Sequence, residues 1–409
     1  MTTTAHHPSV FDAALPYLDH YGTRCPEESH RAIAEVRTIA GIALGPYGPE
    51  VLSYELVRTV LRDSRFAMPA GNGLSAQGIT SGPLWRRVCE SIVGIDGAEH
   101  LRLRRLVSRA FTPRAAERMR TACTDVITEL VDRHGAAGHC DVVGDIARHY
   151  PIPIICGLLG VPRSDWRLFS GWVKGIGKAF GANVAGNEPA ILLAWENLDA
   201  YLDELIDRRR RSLTDDLLSG LIVAEQDGQR LTHDELLNLV AILLVAGTDT
   251  TRNQLAAAVD VLCDHPDQWD LLGERPELAP RTVEELIRHS PVSMSAIRIT
   301  ACDVELGGVV IPAGTFVVAN TAAANRDPAA YHQPDRFDIT REGPPPMLTF
   351  GGGAHNCLGA HLASVELAEA LIVMARRMPG LRRAGPAPWR PMIGITGPMA
   401  VPVEFDLAH

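Results

Sequence analysis

Ten residues near the C-terminal end carry the densest chemistry in the sequence: Phe350-Gly351-Gly352-Gly353-Ala354-His355-Asn356-Cys357-Leu358-Gly359. Three consecutive glycines open backbone conformations closed to other residues and leave room where something flat must approach. The apolar, Ala- and Leu-rich run from Leu358 to Met378 reads as a helix. Cys357 then precedes a helix N-terminus, where unpaired N–H groups and the positive end of the dipole favour a thiolate over a thiol. That is a geometry for ligating a metal, although a lone cysteine is more often a small buried apolar residue.

Three further constellations bear on the choice. His100 and Arg104 stand four apart on a helical stretch and project from one face as two donors, one of them permanently cationic. They suit a cluster of anionic oxygens, though by spacing alone a solvated basic face is the better reading. The longest helix opens on the capping box Thr232-His233-Asp234-Glu235 and is apolar nearly all round from Leu236 to Val245. Into it the sequence inserts Ala246-Gly247-Thr248-Asp249-Thr250-Thr251, where a mid-helix glycine costs about 1 kcal/mol relative to alanine. Local rules broken inside an otherwise consistent element mark strain kept for function. Glu285 and Arg288, three apart, can pair on one helix face.

Taken together and in this order, these segments resemble the cytochrome P-450 superfamily over nearly the whole chain. Phe350 to Gly359 fills every defined position of the haem-ligand loop FGxGxHxCxG, Ala246 to Thr251 matches the oxygen-groove pattern [AG]Gx[DE]T[TS], His100 to Arg104 matches HxxxR, and Glu285 to Arg288 matches ExxR. The resemblance implies a mainly α protein with small β-sheets (α+β), a single-domain fold holding haem b (iron protoporphyrin IX) between the long central helix and the cysteine loop. Cys357 would be the axial ligand and the metal-binding residue, pushing electron density to the iron and favouring O–O cleavage. Phe350, Gly359, Ala246 and Gly247 would line the cofactor, and His100, Arg104, Arg298 and His355 would serve its two carboxylates. Asp249 and Thr250 would carry protons to the bound oxygen. Glu285 and Arg288 would form a structural lock with Arg336. The implied substrate pocket is Leu84, Trp85, Ile242, Val245, Met294, Ala296, Ile297, Ile393 and Ile395. None is charged, so a small apolar substrate held by shape is expected: a terpenoid, steroid, fatty acyl chain or aromatic compound.

The implied activity is that of a haem-thiolate monooxygenase using O2. A coupling or desaturating oxidase of the same fold is the runner-up, and a haem sensor or carrier is the alternative of another class. No reductase is fused to the chain, so electrons from NAD(P)H are expected through a ferredoxin and its reductase. The ferredoxin would dock on the arginine-rich face around Arg102, Arg105 and Arg109.

The elements that must position these residues follow from composition and pattern. With 409 residues and 46% hydrophobic content the chain can bury a large core. No linker divides it, so residues 1–409 read as one domain, with an N-terminal segment over 1–26 and an irregular Gly/Ser/Asn-rich stretch over 66–85. A helix pair within 163–211 reads, by the resemblance, as the lid of the substrate channel. A net charge of −10 disfavours nucleic acid as a partner. Eight cysteines without paired spacing suit free thiols in a reducing compartment. The start carries no signal-peptide pattern, and the run Leu236 to Gly247 falls short of the about 20 apolar residues that cross a bilayer. A cytoplasmic monomer off the membrane is expected. Short strands are expected over Ile39 to Leu44, Glu50 to Leu52, Ala296 to Thr300, Asp303 to Leu306, Val309 to Ile311 and Thr315 to Val318, with Gly307-Gly308 and Pro312-Ala313-Gly314 as turns.

Overall fold

A computed structural model describes residues 7–181, 183–226 and 231–407. Helix α1 (Pro26–Ile39) opens with proline and with Glu27 and Glu28 in its first turn, both suited to a helix start. The hairpin of β1 (Ile42–Gly45) and β2 (Gly48–Val51) turns through Pro46 and Tyr47, as the Gly-Pro pattern predicts. After Ser53 comes α2 (Tyr54–Arg62), then β3 (Phe66–Ala67). The irregular stretch that follows is ordered: Gly71, Asn72 and Gly73 take left-handed conformations in succession, and α3 (Gly82–Cys89) closes it.

Helix α4 (Gly97–Val107) carries His100 and Arg104, and α5 (Pro113–Arg118) starts where Thr112 accepts a hydrogen bond from Ala115 N–H at 3.2 Å. Helix α6 (Arg120–Gly135) and β4 (His139–Asp141) lead into a π-type turn over Val142–Ala147 and α7 (Pro151–Leu159), with Pro151 at the start where it costs nothing. The span Val142–Leu159 is apolar and long enough for a membrane by composition, yet more than half of it is buried within the protein. The lid pair is α8 (Trp166–Gly177) and α9 (Glu188–Arg210).

Among the elements unread in the sequence is α10 (Leu217–Gln226). It has no amphipathic spacing; its signal is Asp216, whose carboxylate accepts from Ser219 N–H at 2.8 Å in the manner of an N-cap. The central helix α11 (His233–Cys263) runs 31 residues, and both halves of its capping box are formed. Buried apolar side chains line it from Leu236 to Val245 and again from Leu255 to Leu262, so it is the axis of the main core.

Helices α12 (Pro266–Glu274) and α13 (Ala279–His289) follow, then β5 (Ser295–Thr300), β6 (Val304–Leu306), β7 (Val309–Ile311), β8 (Phe316–Asn320) and α14 (Thr321–Asn325). The cysteine loop leads into α15 (Ala360–Arg377), and β9 (Arg382–Arg383) and β10 (Pro402–Glu404) end the chain. The principal sheet has the order β1-β2-β8-β5-β3, with β2 and β8 parallel. Strands β4, β10 and β9 form a second sheet, and β6 and β7 a hairpin.

The salt lock on α13 differs from expectation in its third member. Glu285 and Arg288 are almost wholly buried and pair through two contacts, at 2.7 and 2.8 Å. Arg341, not Arg336, reaches Glu285, at 3.2 and 3.1 Å. Arg336 supplies only its carbonyl, to Arg288 and Arg341, while its side chain is exposed. The buried carboxylate takes whichever guanidinium approaches with its own carbonyl partners already arranged, and the loop delivers Arg341.

Candidate active site

The cysteine loop is held by its backbone. Cys357 N–H donates to Phe350 carbonyl oxygen at 2.7 Å, and Gly351 N–H to that of Leu348 at 2.8 Å. Gly351 and Gly353 have φ of +74° and +64°, where glycine is nearly obligatory. A Cβ on Gly353 would lie 2.8 Å from the Leu61 carbonyl oxygen, and one on Gly352 3.3 Å from Leu61 Cβ. Two of the three glycines thus make room for the end of α2 rather than for a flat partner. The Cys357 thiol is exposed at the loop surface, yet surrounding protein pushes its pKa up by desolvation, against the opposing pull of Gly359 N–H and Arg104. By itself it rests as a thiol; a bound cation would make it a thiolate. Gly359 sits at the cap position of α15, and Phe350 packs half-buried against the main core.

Four donors predicted to act together do converge around this loop. His100 is buried with its Nδ1 unpartnered, and its ring lies 4.0 Å from that of His355. His355 Nε2 is 3.1 Å from the carboxylate of Asp96, which also accepts from Gly97 and Met68 N–H. Arg104 donates to the Asn356 carbonyl at 2.5 Å. Arg298, buried on β5, donates to Ile297 carbonyl at 2.8 Å and contacts Met68 sulfur at 3.2 Å, with no carboxylate in ion-pair range among the described residues. Burial pushes His100 down to about 4, aided by His355 and Arg104. Burial also lowers Arg104 and Arg298, and it lowers His355 against the opposing pull of Asp96. Two buried and two half-buried donors, each with its pKa depressed and one with an orphaned nitrogen, lack anionic partners beyond Asp96 among the described residues; two carboxylates fit them.

Opposite in character is α11. Every residue from Leu236 to Val245 is buried, then Ala246 is exposed and Gly247, Asp249 and Thr250 half-exposed. Ala246 is the residue that opens the helix surface. Gly247 has a packing reason instead, since a Cβ there would lie 3.0 Å from Ile155 of α7. Thr250 Oγ1 donates to the Ala246 carbonyl at 3.0 Å, bonding back along the helix. Asp249 Oδ1 lies 3.1 Å from Arg252 without hydrogen-bonding alignment. Burial raises the Asp249 pKa, and Arg252 and Arg390 oppose that rise.

Of the pocket residues expected, Trp85, Ala296, Ile297, Ile393 and Ile395 keep accessible surface. Leu84 does not: it is 0% exposed in the main core, because α3 turns that face inward and presents Trp85 to the loop at Gly71. Ile242, Val245 and Met294 retain very little, Met294 lying in a separate small core with Val292 and Trp389. A residue not singled out in the sequence is Glu366 on α15, fully buried, with its Oε1 unpartnered, and pushed up to about 8 by burial against a smaller opposing pull from Thr251. Its signal was an acid standing inside the apolar run Leu362 to Leu371.

Comparison with known proteins decides what this geometry belongs to. The family model described as cytochrome P450 matches residues 189–274 and 267–377. Mycinamicin IV hydroxylase/epoxidase of Micromonospora griseorubida is 41% identical over 369 residues, 88% of this chain and 91% of its own. The chain is a cytochrome P450. Nocardicin C N-oxygenase of Nocardia uniformis subsp. tsuyamanensis is 39% identical over 88% of the chain and 91% of its own length. Among solved structures, CalO2 superposes with a TM-score of 0.90 at 30% identity, covering 97% of this chain and 100% of that one. A mutant of the mixed-function P450 MycG in complex with mycinamicin IV gives 0.82 at 37% identity, covering 96% and 100%.

The P450 is therefore a monooxygenase, which removes the sensor or carrier reading, and its family works with thiolate-bound haem, O2 and redox partner proteins. The residues present suit that cofactor: an exposed thiol beside a buried and half-buried donor set that two carboxylates fit. On the arginine-rich face, Arg102 is taken up by Glu99 and Glu235, whereas Arg105 and Arg109 are exposed and make no ion pair among the described residues.

Proposed function

We propose that this P450 inserts one atom of O2 into an apolar secondary-metabolite scaffold, with electrons drawn from NAD(P)H through a separate ferredoxin and its reductase. The observation that carries this reading is the step at Ala246, with Thr250 one turn on, which leaves helix surface accessible where the family's oxygen groove is expected, between two buried stretches of α11. Bound haem with a thiolate ligand supplies the oxygen activation, its iron made electron-rich for O–O cleavage. Cys357 is that ligand, held by its hydrogen bond to Phe350. His100, Arg104, Arg298 and His355 would hold the two carboxylates of the cofactor, and the unpartnered His100 Nδ1 supports that role.

Thr250 Oγ1 turns from the Ala246 carbonyl to donate its proton in the groove, and Asp249 replaces that proton from the side of Arg252 and Arg390, a general-acid role. The raised pKa of Asp249 suits a group that must hold a proton and release it. Trp85, Ala296, Ile297, Ile393 and Ile395 orient the substrate by shape. Arg105 and Arg109 steer an acidic ferredoxin to the face of α4.

The test is the absorption spectrum of the reduced protein under carbon monoxide, wild type beside Cys357→Ser, followed by titration with mycinamicin IV and hexadec-9Z-enoic acid. A long-wavelength Soret band lost in the variant, and a spin shift with an apolar compound, are expected. A band of the histidine-ligated kind in folded protein overturns the reading. The likeness to CxnD, named for C–S bond formation and superposing with a TM-score of 0.84, supports a second reading, a coupling oxidase. Product mass separates them: one oxygen gained, against two hydrogens lost.

A further inference from the structure

The last residue of α8 is Gly177, and it faces Asp249 of α11. A Cβ on Gly177 would lie 2.6 Å from Asp249 Oδ2, closer than real Cβ contacts come. The carboxylate is thus seated against the α8 backbone, in space that any side chain would take. Its other oxygen is 3.1 Å from Arg252, and Arg390 on the C-terminal loop adds a second positive charge nearby. The end of α8 is itself pinned. Gln77 donates to the Gly181 carbonyl at 2.9 Å and accepts from Val184 N–H at 3.2 Å, and a Cβ on Gly394 would lie 3.3 Å from the Phe180 carbonyl oxygen.

We propose that Gly177 is a positioning residue for Asp249: its missing side chain lets the end of the lid helix seat the carboxylate that supplies protons to Thr250, so proton delivery depends on where α8 lies. This rests on the reading of Asp249 given above. In this seat Asp249 turns one oxygen to α8 and the other to Arg252; with α8 displaced, the carboxylate swings wholly to Arg252 and no longer passes a proton to Thr250.

Gly177→Ala tests it, because the clash is with a rotatable carboxylate rather than with backbone, so the side chain moves and the helix stays. Alanine is the better helix former, so a purely structural glycine predicts a higher Tm and nothing else. The expected result on the holoenzyme is an unchanged or raised Tm, with loss or displacement of the infrared carboxyl band that Asp249→Asn identifies. NADPH-driven oxygen consumption with a plant-type ferredoxin and its reductase should slow by roughly 100-fold or more, as it should in Asp249→Asn, with no further loss in the double variant. An Asp249 band unmoved in Gly177→Ala overturns the proposal. If the band moves but Asp249→Asn leaves oxygen consumption unchanged, the seat stands and the proton-donor reading falls, and with it the role given to Gly177. Should Gly177→Ala fail to fold, adding Asp249→Ala must restore folding; failure to do so overturns the proposal as well.

Discussion

The two sides of the site are built by different means. The cysteine side is fixed by backbone: a 2.7 Å hydrogen bond from Cys357 N–H to the Phe350 carbonyl, two glycines at positive φ, and Gly353 pressed on the end of α2. Behind it, Glu285, Arg288 and Arg341 close a buried salt lock whose guanidinium groups also bind loop carbonyls. The α11 side is fixed by side chains: Thr250 bonded to its own helix, and Asp249 resting on Gly177 beside two arginines. Backbone-built geometry has few alternatives and holds a ligand atom in place. Side-chain geometry has rotamers to spare, as the proton delivery proposed for Asp249 and Thr250 requires.

That contrast can be broken at graded cost. The largest effect belongs to Arg288→Ala, which removes the bidentate partner of a buried carboxylate and leaves it to Arg341, and should cost about 3–5 kcal/mol, read by denaturant unfolding. Arg341→Ala should follow, while Arg336→Ala, exposed and paired only with Asp338, should stay within about 0.5 kcal/mol. Equal costs for Arg336 and Arg341 would contradict the lock as described.

Glu366→Gln comes next and acts in the opposite direction. Its pKa of about 8 in the fold stands above the ordinary carboxylate value of 4.5, so the folded state holds the proton where the unfolded chain releases it. Stability from this group is fully present below about pH 4.5 and declines as pH rises toward 8, by roughly 3 kcal/mol at pH 7. The glutamine variant should be more stable than wild type at pH 7 and lose that advantage by pH 4.5, as paired thermal melts would register. A constant difference across pH would rule this out.

Gly353→Ala should cost about 2 kcal/mol or more, from the positive φ and the 2.8 Å approach to Leu61, with a weakened or shifted Soret band. Thr250→Ala sharpens the other side: less than about 1 kcal/mol in stability, yet oxygen consumption diverted to peroxide. If Thr250→Ala destabilises as much as Gly353→Ala, the distinction between the two sides is lost.

Much of this was legible beforehand because it is local. Thr232 and Glu235 announce the start of α11, Pro113 that of α5, and the glycines of the cysteine loop a backbone that only glycine adopts. The step from buried Val245 to exposed Ala246 was foreshadowed by small and polar residues breaking an apolar run. Local hydrogen bonding, chain stiffness and side-chain period act over a few residues, so sequence by itself determined most of the helices, the capping box of α11, the Thr112 cap of α5, and the family. What only the tertiary structure decided is which side chain meets which across hundreds of residues. Leu84 turned to the core and Trp85 to Gly71 because α3 packs with one particular rotation. Arg341 displaced Arg336 at Glu285, and Gly247 yielded its space to Ile155 rather than to a ligand. Gly177 came under Asp249 through the angle at which the lid crosses α11. Such contacts are set by helix rotation and close packing of the whole core, to which no short stretch of sequence has access.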